Sequence, residues 1–133
     1  MAPSEALSYA SALALLSLTH SELVGFVAVT ALGLGDPIAA LVGRRWGKHR
    51  IVNGRSLEGS TAFVVASVLG CLLVFTFLLP SIPFGAALTI AVLASLTGAV
   101  VEMLCRKVDD NFAIPLVSGA TAIVVAFAMG VPL

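Results

Sequence analysis

Long uncharged apolar runs constrain this chain more than any other feature. A helix that crosses the hydrocarbon core of a bilayer needs roughly 20 mostly apolar residues, and three stretches reach that length: Ser60 to Leu79, Phe84 to Cys105 and Phe112 to Leu133. A fourth, Leu23 to Val42, is long enough but is interrupted by Asp36 and Pro37, which predicts either a kinked span or two half-helices. The segment Ala6 to Leu18 is apolar but short, as suited to an interfacial or incomplete helix as to a span. With 59% hydrophobic and only 11% charged residues, and a mean hydropathy of +1.11, the chain is excluded from being a water-soluble monomer. The expected fold is an all-α, polytopic transmembrane helix bundle with four or five spans, one of them broken at Gly35-Asp36-Pro37.

Seven Lys and Arg balance seven Asp and Glu, for a formal net charge of zero. That balance argues against a nucleic-acid binder recruited by bulk charge, but it conceals a pattern. All the basic residues fall between spans: Arg44, Arg45, Lys48, Arg50 and Arg55 in one long segment, Arg106 and Lys107 in a short one. Two spans separate the segments, so both lie on one side of the bilayer, and basic loops face the cytoplasm. The uncharged turn Pro80-Ser81-Ile82-Pro83 and the end from Val131 to Leu133 belong on the other side. Cys71 and Cys105 read as small core residues, neither a zinc site nor a disulfide framework. Met1 to Ala10 carries no Lys or Arg, so the charged leader of a secretory signal is missing and the first segment is expected to belong to the mature protein. The chain reads as one membrane domain over 1–133, with a short first helix in 1–22, a basic loop at 43–59 and an acidic loop at 105–111.

Asp36 lies about two helical turns, roughly 10 Å, from the basic segment. A carboxylate at such a depth is costly without a cation or donors, and is by default a functional-site candidate; the competing reading is an Asp that caps a helix break, with Pro37 in the first helical position. Small residues then recur every four positions, at Gly35, Ala39, Gly43 and Gly47, on one helical face with Asp36 at its edge. Such a strip admits another helix or a bulky ligand such as a nucleotide. The following segment combines Lys48, Arg50 and Arg55 with Gly47, Gly54 and Gly59 and the hydroxyls of Ser56 and Ser60. Basic side chains and flexible backbone amides suit phosphate oxygens, as they also suit anionic lipid head groups. Acidic groups follow at Glu102, Asp109 and Asp110. Their oxygens suit magnesium, which commonly bridges one or two carboxylates and substrate phosphates; Glu102 has a second option in Arg106, at i,i+4.

Three blocks in this order, Gly35-Asp36-Pro-Ile-Ala39-Ala-Leu-Val-Gly43-Arg-Arg-Trp-Gly47, Gly54-Arg55-Ser56-Leu57-Glu58-Gly59-Ser60, and Val101-Glu102 with Asp109-Asp110-Asn111-Phe-Ala-Ile-Pro115-Leu, resemble the dolichol kinase and phytol kinase family of CTP-dependent lipid kinases. That family also holds a CTP-dependent diacylglycerol kinase, and its members are often labelled phosphatidate cytidylyltransferase-like. The resemblance runs from about Gly33 to Gly119. It implies a polytopic membrane enzyme that transfers the terminal phosphoryl group of CTP to a lipid alcohol such as phytol, geranylgeraniol, dolichol or diacylglycerol. The family's nucleotide motif falls on Asp36, Ala39, Gly43 and Gly47, and its later basic residue, hydroxyl, Glu and Gly fall on Arg55, Ser56, Glu58 and Gly59. Gly54 and Arg55 stand where the dolichol kinase form has paired lysines, and the spacing from Gly47 is shorter, so the likeness is to the broader family.

What the resemblance implies for chemistry is magnesium on the CTP phosphates, held by Asp36 with Asp109 or Asp110, while Lys48, Arg50 and Arg55 neutralise phosphate oxygens. Glu58 either holds the loop by pairing with Arg55 or contacts the nucleotide. Glu102 or one of the loop aspartates acts as the base for the lipid hydroxyl. The expected setting is an integral membrane protein with basic loops in the cytoplasm, in the cell membrane if prokaryotic, and a homo-oligomer is one way for so few spans to enclose a pocket. Two alternatives stand beside this reading. A cytidylyltransferase would make a CDP-lipid and release pyrophosphate, but the C-terminal acidic-basic signature expected of CDP-diacylglycerol synthases is not evident. A small transporter or scaffold would use Asp36 as a cation site and the glycines as packing surface, without needing the ordered Arg55, Ser56, Glu58 and Gly59.

Overall fold

The computed structural model describes residues 3–18, 21–49, 56–104 and 110–131, with the side chains of 3–5, 8 and 110–112 left aside. These residues form six α-helices: α1 (Pro3–Ser17), α2 (Glu22–Thr30), α3 (Asp36–Trp46), α4 (Leu57–Leu78), α5 (Phe84–Leu104) and α6 (Asp110–Ala128), with a π-helical turn, Ala31–Gly35, between α2 and α3. Three helical stretches are long and apolar enough to cross a membrane: Glu22–Trp46, Leu57–Leu78 and Phe84–Leu104, with Ala113–Ala128 a shorter apolar helix. The protein is an integral membrane protein.

Local chemistry sets the helix ends. Ser21 precedes α2 in an extended conformation and its side chain accepts a hydrogen bond from the Val24 N–H at 3.4 Å, the usual way of satisfying an orphan donor in a first turn. Ser56 does the same for α4, accepting from Gly59 N–H at 3.0 Å. The last span is shorter than the apolar run suggests, ending at Ala128 rather than continuing to Leu133. Gly130, at φ +70°, turns the chain; the Val131 N–H then reaches the Ala126 carbonyl at 2.9 Å and the Gly130 N–H reaches that of Phe127 at 3.2 Å. This is the Schellman closure, in which a glycine takes the left-handed conformation denied to most side chains. Val131 tucks back into the core. The short first segment forms the 15-residue α1.

The interruption at Gly35-Asp36-Pro37 is a change of helix type, and the chain does not part into two half-helices. Proline lacks an N–H and its ring collides with the carbonyl four residues back in a regular α-helix. Here the turn just before it is widened, with the Asp36 N–H bonded to the Ala31 carbonyl five residues back. Gly35 and Asp36 both keep helical angles, at φ −62°, ψ −51° and φ −66°, ψ −48°. Asp36 therefore opens α3 within a continuous helical stretch, with Pro37 directly after it.

Two clusters fill the bundle. Toward the Pro80–Pro83 turn, Leu23, Val24, Val27, Cys71, Phe75, Ile90, Ala122 and Ala126 pack together. Toward the basic segment, Phe63 is enclosed by Ala31, Leu32, Ala39, Ala99 and Ile114. Large side chains meet small ones throughout, as expected where helices associate in lipid by close packing rather than by hydrophobic drive. Between α5 and α6, the Thr97 and Thr121 hydroxyls bond at 2.9 Å. Because α4 and α5 pack as an antiparallel pair, with Phe63 against Gly98 at one level and Cys71 and Phe75 in one cluster with Ala86 and Ile90 at another, the start of α4 and the end of α5 share one end of the bundle.

Candidate functional site

The strip of small residues on α3 is filled by α4. Gly59 lies so near it that a Cβ there would stand 3.0 Å from the Ala39 carbonyl oxygen and 3.3 Å from the Gly43 Cα. Ser56 occupies the space left by glycines. Its hydroxyl would meet a Cβ on Gly43 at 3.1 Å, on Gly47 at 2.8 Å and on Gly59 at 3.0 Å. It is almost fully buried, and it is also the cap of α4. One serine thus terminates a helix and seals the crossing of α3 and α4, which accounts for small residues at Ala39, Gly43, Gly47 and Gly59 together. Gly47 ends α3, its N–H bonded to the Gly43 carbonyl at 3.1 Å.

Beyond that crossing, positive charge is presented outward. Arg44 and Arg45 lie in the last turn of α3, where the helix dipole favours cations, and the Arg45 guanidinium stands over the Trp46 ring at 5.4 Å. Both arginines, Trp46 and Lys48 are exposed; tryptophan at a span end is typical of a membrane interface. The Glu58 carboxylate, at the first turn of α4, receives the His49 backbone N–H on both oxygens at 3.3 Å and contacts His49 Nδ1 at 2.6 Å. The Leu57 N–H in turn donates to the His49 carbonyl at 2.9 Å. His49 itself is well exposed. Among the described residues, Glu58 pairs with His49; Arg55, the partner expected from the sequence, lies outside them. No local spacing rule singles out His49, because the contact joins residues nine apart across a loop.

Asp36 begins α3, half-buried, directly after the π turn. Its neighbour Gly35 packs against Phe63 and Ser67 of α4. Such turns are often found at functional positions. Glu102 is 3% exposed, in the last turn of α5, at the end of the bundle where α4 starts. Asp110 opens α6; Asp109, Arg50 and Arg55 lie outside the described residues. Among the described residues no group of three or more His, Cys, Asp and Glu side chains comes together as a metal site. Asp36 and Glu102 are oxygen donors of the type a hard divalent cation takes, and magnesium needs only one or two protein carboxylates beside substrate phosphates, so the donor chemistry fits.

The chain is 35% identical over 102 residues to the phytol kinase of Synechocystis sp., an alignment covering 72% of this chain and 42% of that protein. It is 36% identical over 92 residues to the dolichol kinase of Schizosaccharomyces pombe, covering 68% of this chain and 17% of the relative. With the dolichol kinase of Saccharomyces cerevisiae it shares 40% identity over 47 residues, covering 35% of this chain and 9% of the relative. The chain thus spans less than half the length of the curated relatives it matches. No protein-family model matches the chain, and neither does any solved structure. The first two alignments run across most of this chain, and over that length the chain is similar to the phytol kinase and dolichol kinase proteins.

Proposed function

We propose that this protein takes part in phosphorylating an isoprenoid or related lipid alcohol, with CTP as the phosphoryl donor. The observation that carries the reading is the placement of Asp36: a half-buried carboxylate at the π turn of a membrane-crossing helix, whose far end and the loop behind it bear Arg44, Arg45, Lys48 and the His49–Glu58 contact. The names of the relatives, phytol kinase and dolichol kinase, support the same reaction class.

In this reading the basic segments face the cytoplasm, where a soluble nucleotide reaches them, while the lipid alcohol enters sideways from the bilayer with its hydroxyl at the interface. Phosphoryl transfer depends mainly on positioning and on neutralising charge around the phosphates. Lys48, with Arg50 and Arg55 of the loop, neutralises phosphate oxygens. Ser56, Ala39, Gly43, Gly47 and Gly59 set the frame from which that loop projects. The alcohol oxygen attacks the terminal phosphorus, the bond to the bridging oxygen breaks, and CDP leaves; the hydroxyl proton passes to Glu102 or to an aspartate of the 105–111 segment, a role that requires hydrogen-bond reach. Asp36, with Asp109 or Asp110, would hold magnesium, which when bound supplies positive charge to the phosphates.

The test is purified protein in detergent or vesicles, supplied with labelled CTP, magnesium and a panel of phytol, geranylgeraniol, dolichol and diacylglycerol. Lipid phosphate and CDP as products support the proposal. A CDP-lipid with pyrophosphate makes the protein a cytidylyltransferase. No turnover, together with no thermal stabilisation by CTP or ATP in the presence of magnesium, favours the transporter or scaffold.

A further inference from the structure

We infer that the outer face of α3 is a docking surface for an anionic phospholipid, with Arg44 and Arg45 on the head-group phosphate and Trp46 beside it. Such a surface is independent of phosphoryl transfer. α4 packs along α3 on the side of Ala39 and Gly43. Among the described residues the other side is open: Pro37, Ala40, Leu41, Arg44 and Arg45 are all exposed. Their spacing, i, i+3, i+4, i+7 and i+8, puts them on one helical face. That face has two parts. Pro37, Ala40 and Leu41 are apolar and belong to the membrane-crossing stretch Glu22–Trp46; Arg44 and Arg45 stand one turn further on, roughly 6 Å along the axis. A phospholipid presents the same order, an acyl chain followed by a phosphate at the interface.

Charge and chemistry select the kind of lipid. Among the described residues neither arginine has an ion-pair partner, and the Glu58 carboxylate is turned to His49 instead. The Arg45 guanidinium is held over the Trp46 ring at 5.4 Å, a cation–π contact, and the ring is 56% exposed, as suits an indole in the head-group region. Two guanidinium groups on adjacent residues carry twice the charge of one phosphodiester and donate in forks that match its oxygens. A zwitterionic head group brings its own cation to that place, whereas an anionic one leaves its full charge to the arginines. The nucleotide phosphates were placed on Lys48 and the loop that follows it; Arg44 and Arg45, away from the crossing of α3 and α4, are left for the bilayer.

Trp46 is the one tryptophan of the chain, so its fluorescence reports on this surface alone. In the test, the whole chain is reconstituted in phosphatidylcholine vesicles and quenching of Trp46 is titrated with phosphatidylglycerol or phosphatidylcholine carrying brominated acyl chains. Brominated phosphatidylglycerol is expected to associate about fivefold more strongly than brominated phosphatidylcholine, the scale of one arginine at an anionic surface, and the ratio should fall toward one at high salt. R44Q/R45Q should bring the ratio to about one already at low salt, with Trp46 emission in plain phosphatidylcholine unmoved. CTP with magnesium should leave the quenching by brominated phosphatidylglycerol in place. Equal quenching by the two lipids in the wild type overturns the inference, whatever the variant does. A preference undiminished in R44Q/R45Q overturns it too, since the charge then lies elsewhere. Displacement of the brominated lipid by CTP would give the arginines to the nucleotide, overturning the docking surface while strengthening the kinase reading. Absence of lipid phosphorylation, by contrast, would remove the kinase reading and leave the quenching ratio as it is.

Discussion

Phe63 of α4 sets one edge of its ring against Gly35, at the end of the π turn: a Cβ at position 35 would stand 2.9 Å from the ring and would also press on Ser67. On its other side the same ring meets Gly98 of α5, where a Cβ would come within 3.1 Å. One aromatic side chain is thus clamped between two glycines of different helices, one residue from Asp36. Gly35→Ala should lower stability in detergent by about 1–3 kcal/mol, the usual cost of overpacking, and should disturb activity through the adjacent Asp36. Thermal unfolding of the variant checks this. Unchanged stability would mean that α3 moves freely away from α4.

Asp36→Asn should leave the fold intact, since the substitution keeps the shape of a half-buried side chain in a helix that continues through it. Activity should fall by about a hundredfold or more if the carboxylate meets charge on the reacting phosphates. Magnesium titration of the residual rate gives a second reading. Full CTP-dependent activity in a well-folded Asp36→Asn protein removes Asp36 from the mechanism.

Ser56→Ala removes the cap of α4 while fitting the same space between Gly43, Gly47 and Gly59. The expected loss is about 1 kcal/mol, seen as a lower unfolding temperature and faster amide exchange at Gly59. Gly59→Ala is the sharper perturbation, because its new methyl would face the backbone oxygen of Ala39 at 3.0 Å, and a carbonyl within a helix cannot rotate away. It should cost more than Ser56→Ala in the same measurement.

The hydroxyls of Thr97 and Thr121 join α5 to α6 at 2.9 Å, one donating to the other, whose own proton goes to a carbonyl of its helix, Leu93 for Thr97 or Val117 for Thr121. Thr97→Val and Thr121→Val should each cost about 0.6 kcal/mol, the typical value for such bonds between membrane helices. The double variant should cost little more than one single change. Reversible unfolding of the three variants in mixed micelles measures the coupling; full additivity would show that the hydroxyls act independently.

Much of the architecture was legible from residue order, because crossing a bilayer imposes a length requirement and backbone self-satisfaction that leave only apolar helices of about 20 residues. The bounds of α5 and the end of α4 followed to within a residue, from the apolar runs and the Pro80–Pro83 turn, whereas α4 starts at Leu57, three residues before the expected Ser60, because Ser56 caps it. That Asp36 is unusual followed too, from the cost of a carboxylate among apolar residues. Three outcomes depended on contacts between distant parts of the chain. Whether Gly35, Ala39, Gly43 and Gly47 face a ligand or a helix is undecidable from their spacing, and the approach of Gly59 and Ser56 brought α4 onto them. The end of α6 at Ala128 arose because Gly130 turned Val131 into the core, where hydropathy alone reads on through the glycine to Leu133. Glu58 met His49 because Ser56 and the crossing glycines drew the start of α4 against the end of α3. The sequence by itself determined the membrane helices and their charged ends, since those are set by the solvent along one dimension; only the tertiary structure decided which small residues make room for which helix, and which partner a loop carboxylate finds, since packing in three dimensions selects among pairings that spacing leaves equal.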